Sequence, residues 1–234
     1  MSAPDPSPSD SAAAAAVRAA RDPAGNPAWT ALDRNVALGR ADDPALTGPS
    51  VLTGRLETLD FAVLTERVAK LAGVLRASQF GPGDRVLIWL PDSVEAVIAV
   101  LACVRSGMPL AQIPGATSTA EVQALVLQLA PNLIFAPRGG QFGSLPSVVV
   151  RASEQDPTEA DGFGEQDVDY RSWTRSTAVQ PTEPVPLADE QSVELDAPVE
   201  RGGSLSVPAL LNRLAAGEHL SVGAGGAFAA GELH

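Results

Sequence analysis

Few side chains in this 234-residue chain are of the kinds that do chemistry, and their scarcity narrows the choices. There is one lysine, Lys70, one cysteine, Cys103, and two histidines, His219 and His234. One thiol makes neither an intramolecular disulfide nor a zinc cluster. Two histidines near the C-terminal end supply no metal site and no His-based triad. The closest candidate for an anion-binding loop is RGGSLSVP, Arg201 to Pro208. Its Gly202, Gly203, Ser204 and Ser206 precede a helical pattern, so successive backbone N–H groups could form an anion nest at a helix N-terminus. The same run also reads as an ordinary Gly-rich connection that ends in a Ser206 helix cap. The glycines of GPGDRV (Gly81 to Val86) follow a helix and precede a strand, the reverse of the order a dinucleotide fingerprint needs.

The elements that must carry these residues alternate along the chain. Between Asp60 and Ser78, the residues Phe61, Leu64, Val68, Leu71 and Leu75 fall at steps of three and four, one stripe on a helix. Arg67, Lys70 and Arg76 fall off that stripe and are expected in solvent, and Gly81, Pro82 and Gly83 close the unit. RVLIWL (Arg85 to Leu90) is a near-continuous apolar run, as a parallel strand covered on both faces requires. Pro91 ends it. Asp92 with Glu95 predicts a capping box for the next helix, which Gly107 stops in the left-handed region. PLAQI (109–113), NLIFA (132–136) and SVVVR (147–151) read as further strands. A helix through Val122, Leu125, Val126 and Leu129, capped by Ser118 or Thr119, lies between the first two. The pattern predicts an α/β fold, a doubly wound, mostly parallel sheet with flanking helices. Later, DYRSWTR (169–175) reads as a helical turn, SVELDA (192–197) as one more strand and SVPALLNRLAA (206–216) as a short helix. The Gly-rich tail has no assigned structure.

The net charge of −12 is concentrated in one place. Residues 152–200 hold 13 acids and two arginines, whereas residues 1–151 hold 13 acids and 12 bases. Such an acidic chain argues against nucleic acid and anionic membrane as partners. No run of about 18 apolar residues occurs, and the Ala/Pro/Ser-rich N-terminus reads as neither a secretory signal nor an anchor; the expected address is cytoplasmic. Four regions follow from composition: a disordered N-terminus (1–25), an α/β domain (26–151), an acidic Pro/Gly-rich linker (152–192) and a short strand–helix extension with a Gly-rich tail (193–234). The lysine-poor, Ala/Arg-rich usage points to a high-GC bacterial source.

From Leu59 to about Phe135 the succession resembles the N-terminal part of the adenylate-forming superfamily, the acyl- and aryl-CoA synthetases. The stretch LDFAVLTERVAKLAGVLRASQFGPGDRVLIWLPDSVEAVIAVLACVRSG carries most of the likeness. ALDRN (31–35) and STAEVQALV (118–126) bring it nearest to acetyl- and propionyl-CoA synthetases. The resemblance implies a two-step activation of a carboxylate by ATP and then CoA. That chemistry needs a Ser/Thr/Gly-rich phosphate loop ending in Pro-Lys-Gly, a carboxylate-held magnesium and a later lysine. None of these is matched here, where the one lysine is Lys70. The resemblance also implies a CoA-contacting Gly-Gly-Phe-Ser turn, which here reads GATS. Gly115 and Ser118 match, Ala116 does not, and Arg138 is the one base at the position of the family's arginines. The expectation is a non-catalytic, truncated homologue with no cofactor, acting as an interaction or regulatory protein. Its expected partner is a full-length acyl-CoA synthetase or a second copy of itself. A small-ligand module for a nucleotide or CoA, using Gly115, Arg138 or the Gly202–Ser206 run, and a remnant without selected function remain alternatives.

Overall fold

The computed structural model describes residues 25–137, 142–143, 146–154, 164–175, 181–187, 206–223 and 229–230. Two short helices, α1 (Pro27–Ala31) and α2 (Asp33–Ala37), lead into strands β1 (Pro44–Pro49) and β2 (Leu56–Asp60). The main unit follows: α3 (Phe61–Ala77), β3 (Val86–Leu90), α4 (Val94–Arg105), β4 (Leu110–Pro114), α5 (Thr119–Leu129), β5 (Leu133–Ala136) and β6 (Val148–Arg151). Next come β7 (Asp167–Asp169), α6 (Tyr170–Thr174), α7 (Val207–Ala215), β8 (Leu220–Ser221) and β9 (Ala229–Ala230).

Five strands form an all-parallel sheet in the order β4-β3-β5-β6-β7. Successive residues of β3 serve opposite faces, as the pleat dictates. Val86, Ile88 and Leu90 pack with α3 and α4, while Leu87 and Trp89 pack with α5. All five β3 residues are buried, which is why the sequence shows a continuous apolar run instead of an alternation. The α/β, doubly wound expectation holds.

Helix ends show how local chemistry sets the boundaries. The stripe Phe61, Leu64, Val68, Leu71 and Leu75 is buried, and Asp60 caps α3 by accepting from Val63 N–H at 2.7 Å. Its far end is a Schellman closure in which Phe80 N–H reaches Leu75 O and Gln79 N–H reaches Arg76 O. The left-handed residue there is Gln79 (φ 67°), not one of the glycines that follow. Helix α4 ends in the same way with Gly107 (φ 67°). Its start differs from the expected capping box. Ser93 is the cap, and the Glu95 carboxylate turns away to the β1–β2 loop. Helix α5 does carry a full capping box, between Ser118 and Glu121.

A second, smaller sheet has the order β2-β1-β8-β9. It is built on a β1–β2 hairpin that Gly48, Pro49 and Gly54 hide from periodicity. Pro49 is tolerated because Ser50 N–H donates to Arg55 O, so the neighbouring Pro49–Leu56 pair needs no donor. The late segment closes this sheet. Helix α7 packs on α1, Asn35 Nδ2 donates to Leu214 O at 2.8 Å, and β8 lies parallel to β1. Parts of the acidic segment also lie on the core: β7 is the fifth strand, α6 buries Tyr170, and residues 181–187 pack beside Gly107. The expected SVELDA strand and the N-terminal 1–24 lie outside the described residues.

Candidate functional site

In a doubly wound sheet, ligands collect outside the carboxyl ends of the strands where the winding reverses. Here β3 leads through α4 to β4 on one side, and β4 leads back through α5 to β5 on the other. The switch point therefore lies at the ends of β3 and β5, flanked by Pro91, Ser93, Pro137 and the Gly115–Ser118 turn.

Three features occupy this edge. A Cβ on Gly115 would sit 2.6 Å from the Pro91 Cα and N, so glycine is needed for the β4–α5 turn to pack against the end of β3. The Ser118 hydroxyl is committed to Glu121, bonding its carboxylate at 2.7 Å, and these bonds hold the Glu121 carboxyl below its ordinary range. The first turn of α4, whose dipole would favour an anion, already holds one. It is the buried Glu95 carboxylate, which accepts from Ser50 Oγ at 2.6 Å and Val51 N–H at 2.9 Å.

The other buried charges are likewise fasteners between elements. Arg105, at the end of α4, grips Asp33 of α2 with two bonds of 2.6 and 3.0 Å and donates through Nε to Thr182 O at 2.8 Å. Asn26 reinforces this corner by donating to Val104 O, Arg105 O and Val185 O. Arg151 pairs with Asp167 at 3.0 Å, donates to Pro137 O at 3.0 Å and lies 5.4 Å from the Phe142 ring centre. Burial pushes both the Cys103 thiol and the Tyr170 phenol well above their ordinary ranges, Tyr170 with a smaller contribution from the Glu95 charge. Neither is poised to act as a nucleophile or base.

Of the six residues singled out from sequence, the structure describes Gly115 and Ser206. Gly115 belongs to the edge of the main sheet. Ser206 caps α7, accepting from Ala209 N–H at 3.4 Å, on the helix packed against α1. Arg138, Gly202, Gly203 and Ser204 lie outside the described residues. Lys70 sits half-buried on α3. Sequence pattern does not single out Trp89, whose indole N–H is buried with no partner among the described residues and whose ring meets Phe142 edge-on at 6.0 Å. A tryptophan one residue from the end of a buried parallel strand was the available signal. Among the described residues, no group of three or more His, Cys, Asp or Glu could hold a metal ion, and no helix is long and apolar enough to cross a membrane.

Comparison with known proteins places this architecture. Residues 32–199 match the family described as AMP-binding enzyme. An uncharacterized protein of Pseudomonas aeruginosa is 36% identical over 115 residues, covering 49% of this chain and 18% of that protein. Acetyl-coenzyme A synthetase of Mycobacterium bovis is 32% identical over 130 residues, covering 56% of this chain and 20% of the enzyme. The rat mitochondrial acyl-CoA synthetase short-chain family member 3 is 31% identical over 109 residues, covering 47% and 16%. The chain thus spans about a fifth of the length of these relatives. The crystal structure of Brucella canis acyl-CoA synthetase superposes with a TM-score of 0.58 at 22% identity, covering 76% of this chain and 33% of that one, a likeness of fold.

Proposed function

The chain belongs to the AMP-binding enzyme family, and we propose that it works there as a non-catalytic interaction or regulatory protein. One observation carries this reading: the buried charged side chains Glu95, Arg105 and Arg151 are all consumed in holding elements together. Activating a carboxylate with ATP demands the opposite, cations and N–H groups left free to meet developing phosphate charge. The single lysine, on α3, and the Glu95 carboxylate in the first turn of α4, taken up by Ser50 and Val51, point the same way. The partner chemistry proposed is a full-length acyl-CoA synthetase or a second copy of the chain.

The test joins two measurements. Pyrophosphate release with ATP, magnesium, acetate or propionate, and CoA is expected at the level of the blank. Affinity capture from the native cells, with light scattering on the purified chain, is expected to give one stoichiometric synthetase or a dimer. Pyrophosphate released in proportion to the chain would overturn the non-catalytic reading. A monomer that captures no stoichiometric partner would overturn the interaction reading.

One observation favours a second reading, a small-ligand module for a nucleotide or CoA. The buried Trp89 indole N–H lies near the carboxyl end of β3, beside the switch point, and has no acceptor among the described residues. Titration calorimetry with ATP, AMP and acetyl-CoA tests it; no heat and no thermal shift would remove it.

A further inference from the structure

We propose that the free edge of β2 is a self-association surface, on which a second copy of the chain pairs its own β2 antiparallel about a two-fold axis at Leu56. The inference rests on the interaction reading above and names both the surface and the partner. Among the described residues, strand β2 is the outermost strand of the small sheet, with β1 on one side only. The bond from Ser50 N–H to Arg55 O makes Arg55 a hydrogen-bonded partner of β1. By the alternation of an antiparallel ladder, Glu57 and Leu59 also turn their backbone groups to β1. Leu56 and Thr58 therefore turn their N–H and C=O groups outward. Leu56 is also 72% exposed, unusual for a large apolar residue in a strand.

The side chains select the partner and the register. With the axis at Leu56, the two Leu56 residues face each other and exchange a pair of N–H···O bonds. Arg55 then lies opposite Glu57 of the second copy, and Glu57 opposite its Arg55. A single contact so pairs both charges and covers the exposed apolar side chain. An axis at Glu57 would set the two Glu57 carboxylates against each other. An axis at Thr58 would set Leu56 against Asp60, which already caps α3. Glu57 retains acceptor capacity beside its Arg67 and Thr53 bonds, because each carboxylate oxygen offers two lone pairs. A groove of about 460 Å³ opens beside Leu56, between Leu52 and Arg171, and gives the second leucine room.

Engineered cysteines read this register directly, because the natural Cys103 is fully buried. Residues in a hydrogen-bonded antiparallel pair have Cα atoms about 5.5 Å apart, within disulfide reach. Leu56→Cys in the full chain should form a disulfide-linked species of twice 24.0 kDa under mild oxidation, and Thr58→Cys should not. Light scattering of the unmodified chain should show a dimer at high concentration. Arg55→Glu should weaken it about tenfold, two like-charge contacts replacing two attractive ones, and Arg55→Glu with Glu57→Arg should restore it. Cross-linking of Thr58→Cys in place of Leu56→Cys would overturn the register. A dimer indifferent to Arg55→Glu and unlinked by Leu56→Cys would overturn this surface while sparing self-association. A strictly monomeric chain would overturn the proposal, and the interaction reading would then stand or fall on capture of a synthetase.

Discussion

Replacing Arg105 by methionine isolates the corner where α2, α4 and residues 181–187 meet. Methionine retains most of the arginine stem, so packing changes little. What disappears is the guanidinium, with its two bonds to Asp33 and its bond to Thr182 O. Breaking a buried ion pair from one side costs roughly 3–5 kcal/mol when both groups are fully desolvated. Arg105 is 3% exposed and Asp33 21%, so water recovers part of the carboxylate's loss and the lower end applies. The stranded Thr182 carbonyl adds to the cost, at about 1–3 kcal/mol for a buried unpaired acceptor. We expect a total of about 3–4 kcal/mol, read from urea unfolding with an unchanged slope. Asp33→Asn in the same chain should recover at least about 1 kcal/mol, because the uncompensated charge is removed. Amide exchange should show where the damage lies: Thr182 and Val185 N–H, bonded to Ala69 O and Arg105 O, should exchange faster while β3 stays protected. A loss below about 1 kcal/mol would refute the idea that this buried charge is a structural fastener.

Two further outcomes follow from single residues. The only tyrosine, Tyr170, has a phenol raised above its ordinary value of 10.0 by burial, so the folded state holds the neutral form. Its contribution to stability is present in full below about 10 and is lost as pH rises beyond that, where the unfolded chain ionises first; tyrosinate absorbance should stay absent past pH 10.0 in the folded chain and appear near it in denaturant. Gln79 occupies a left-handed position with φ 67°, so Gln79→Gly should stabilise the α3 terminus by about 0.5–1 kcal/mol in thermal unfolding, and a loss would contradict the Schellman reading.

What sequence reveals here depends on whether a signal is local. The α3 stripe and the β3 run were legible because burial imposes period and continuity on neighbouring residues. The α4 cap was misread for the opposite reason. Glu95 stands at capping-box spacing from Asp92, but its acceptor oxygens serve Ser50, 45 residues away, and nothing near Glu95 encodes that partner. The hairpin was passed over because Gly48, Pro49 and Gly54 look like loop punctuation, and only the pairing shows that Pro49 needs no donor. At the candidate site, Gly115 stands out only through its likeness to the family's CoA-contacting turn, and the reason the fold needs it, the backbone of Pro91 at 2.6 Å, is tertiary. Trp89 does not stand out in the sequence because an indole in an apolar strand reads as core, and only the structure shows its N–H without an acceptor among the described residues.

The union of β1 with β8 sets the order in which the molecule can be completed. Thr47 and His219, 172 residues apart, share a hydrogen bond, and Val222 N–H reaches Thr47 O. While the ribosome is still making the chain, the α3-to-β6 layer can assemble from neighbours, but one side of β1 stays open until residue 222 has emerged. Closing so long a loop is slow relative to local contacts. For that interval both outer edges of the β1–β2 hairpin stand unpaired, one on each side, and each is open to a second copy on the same polysome.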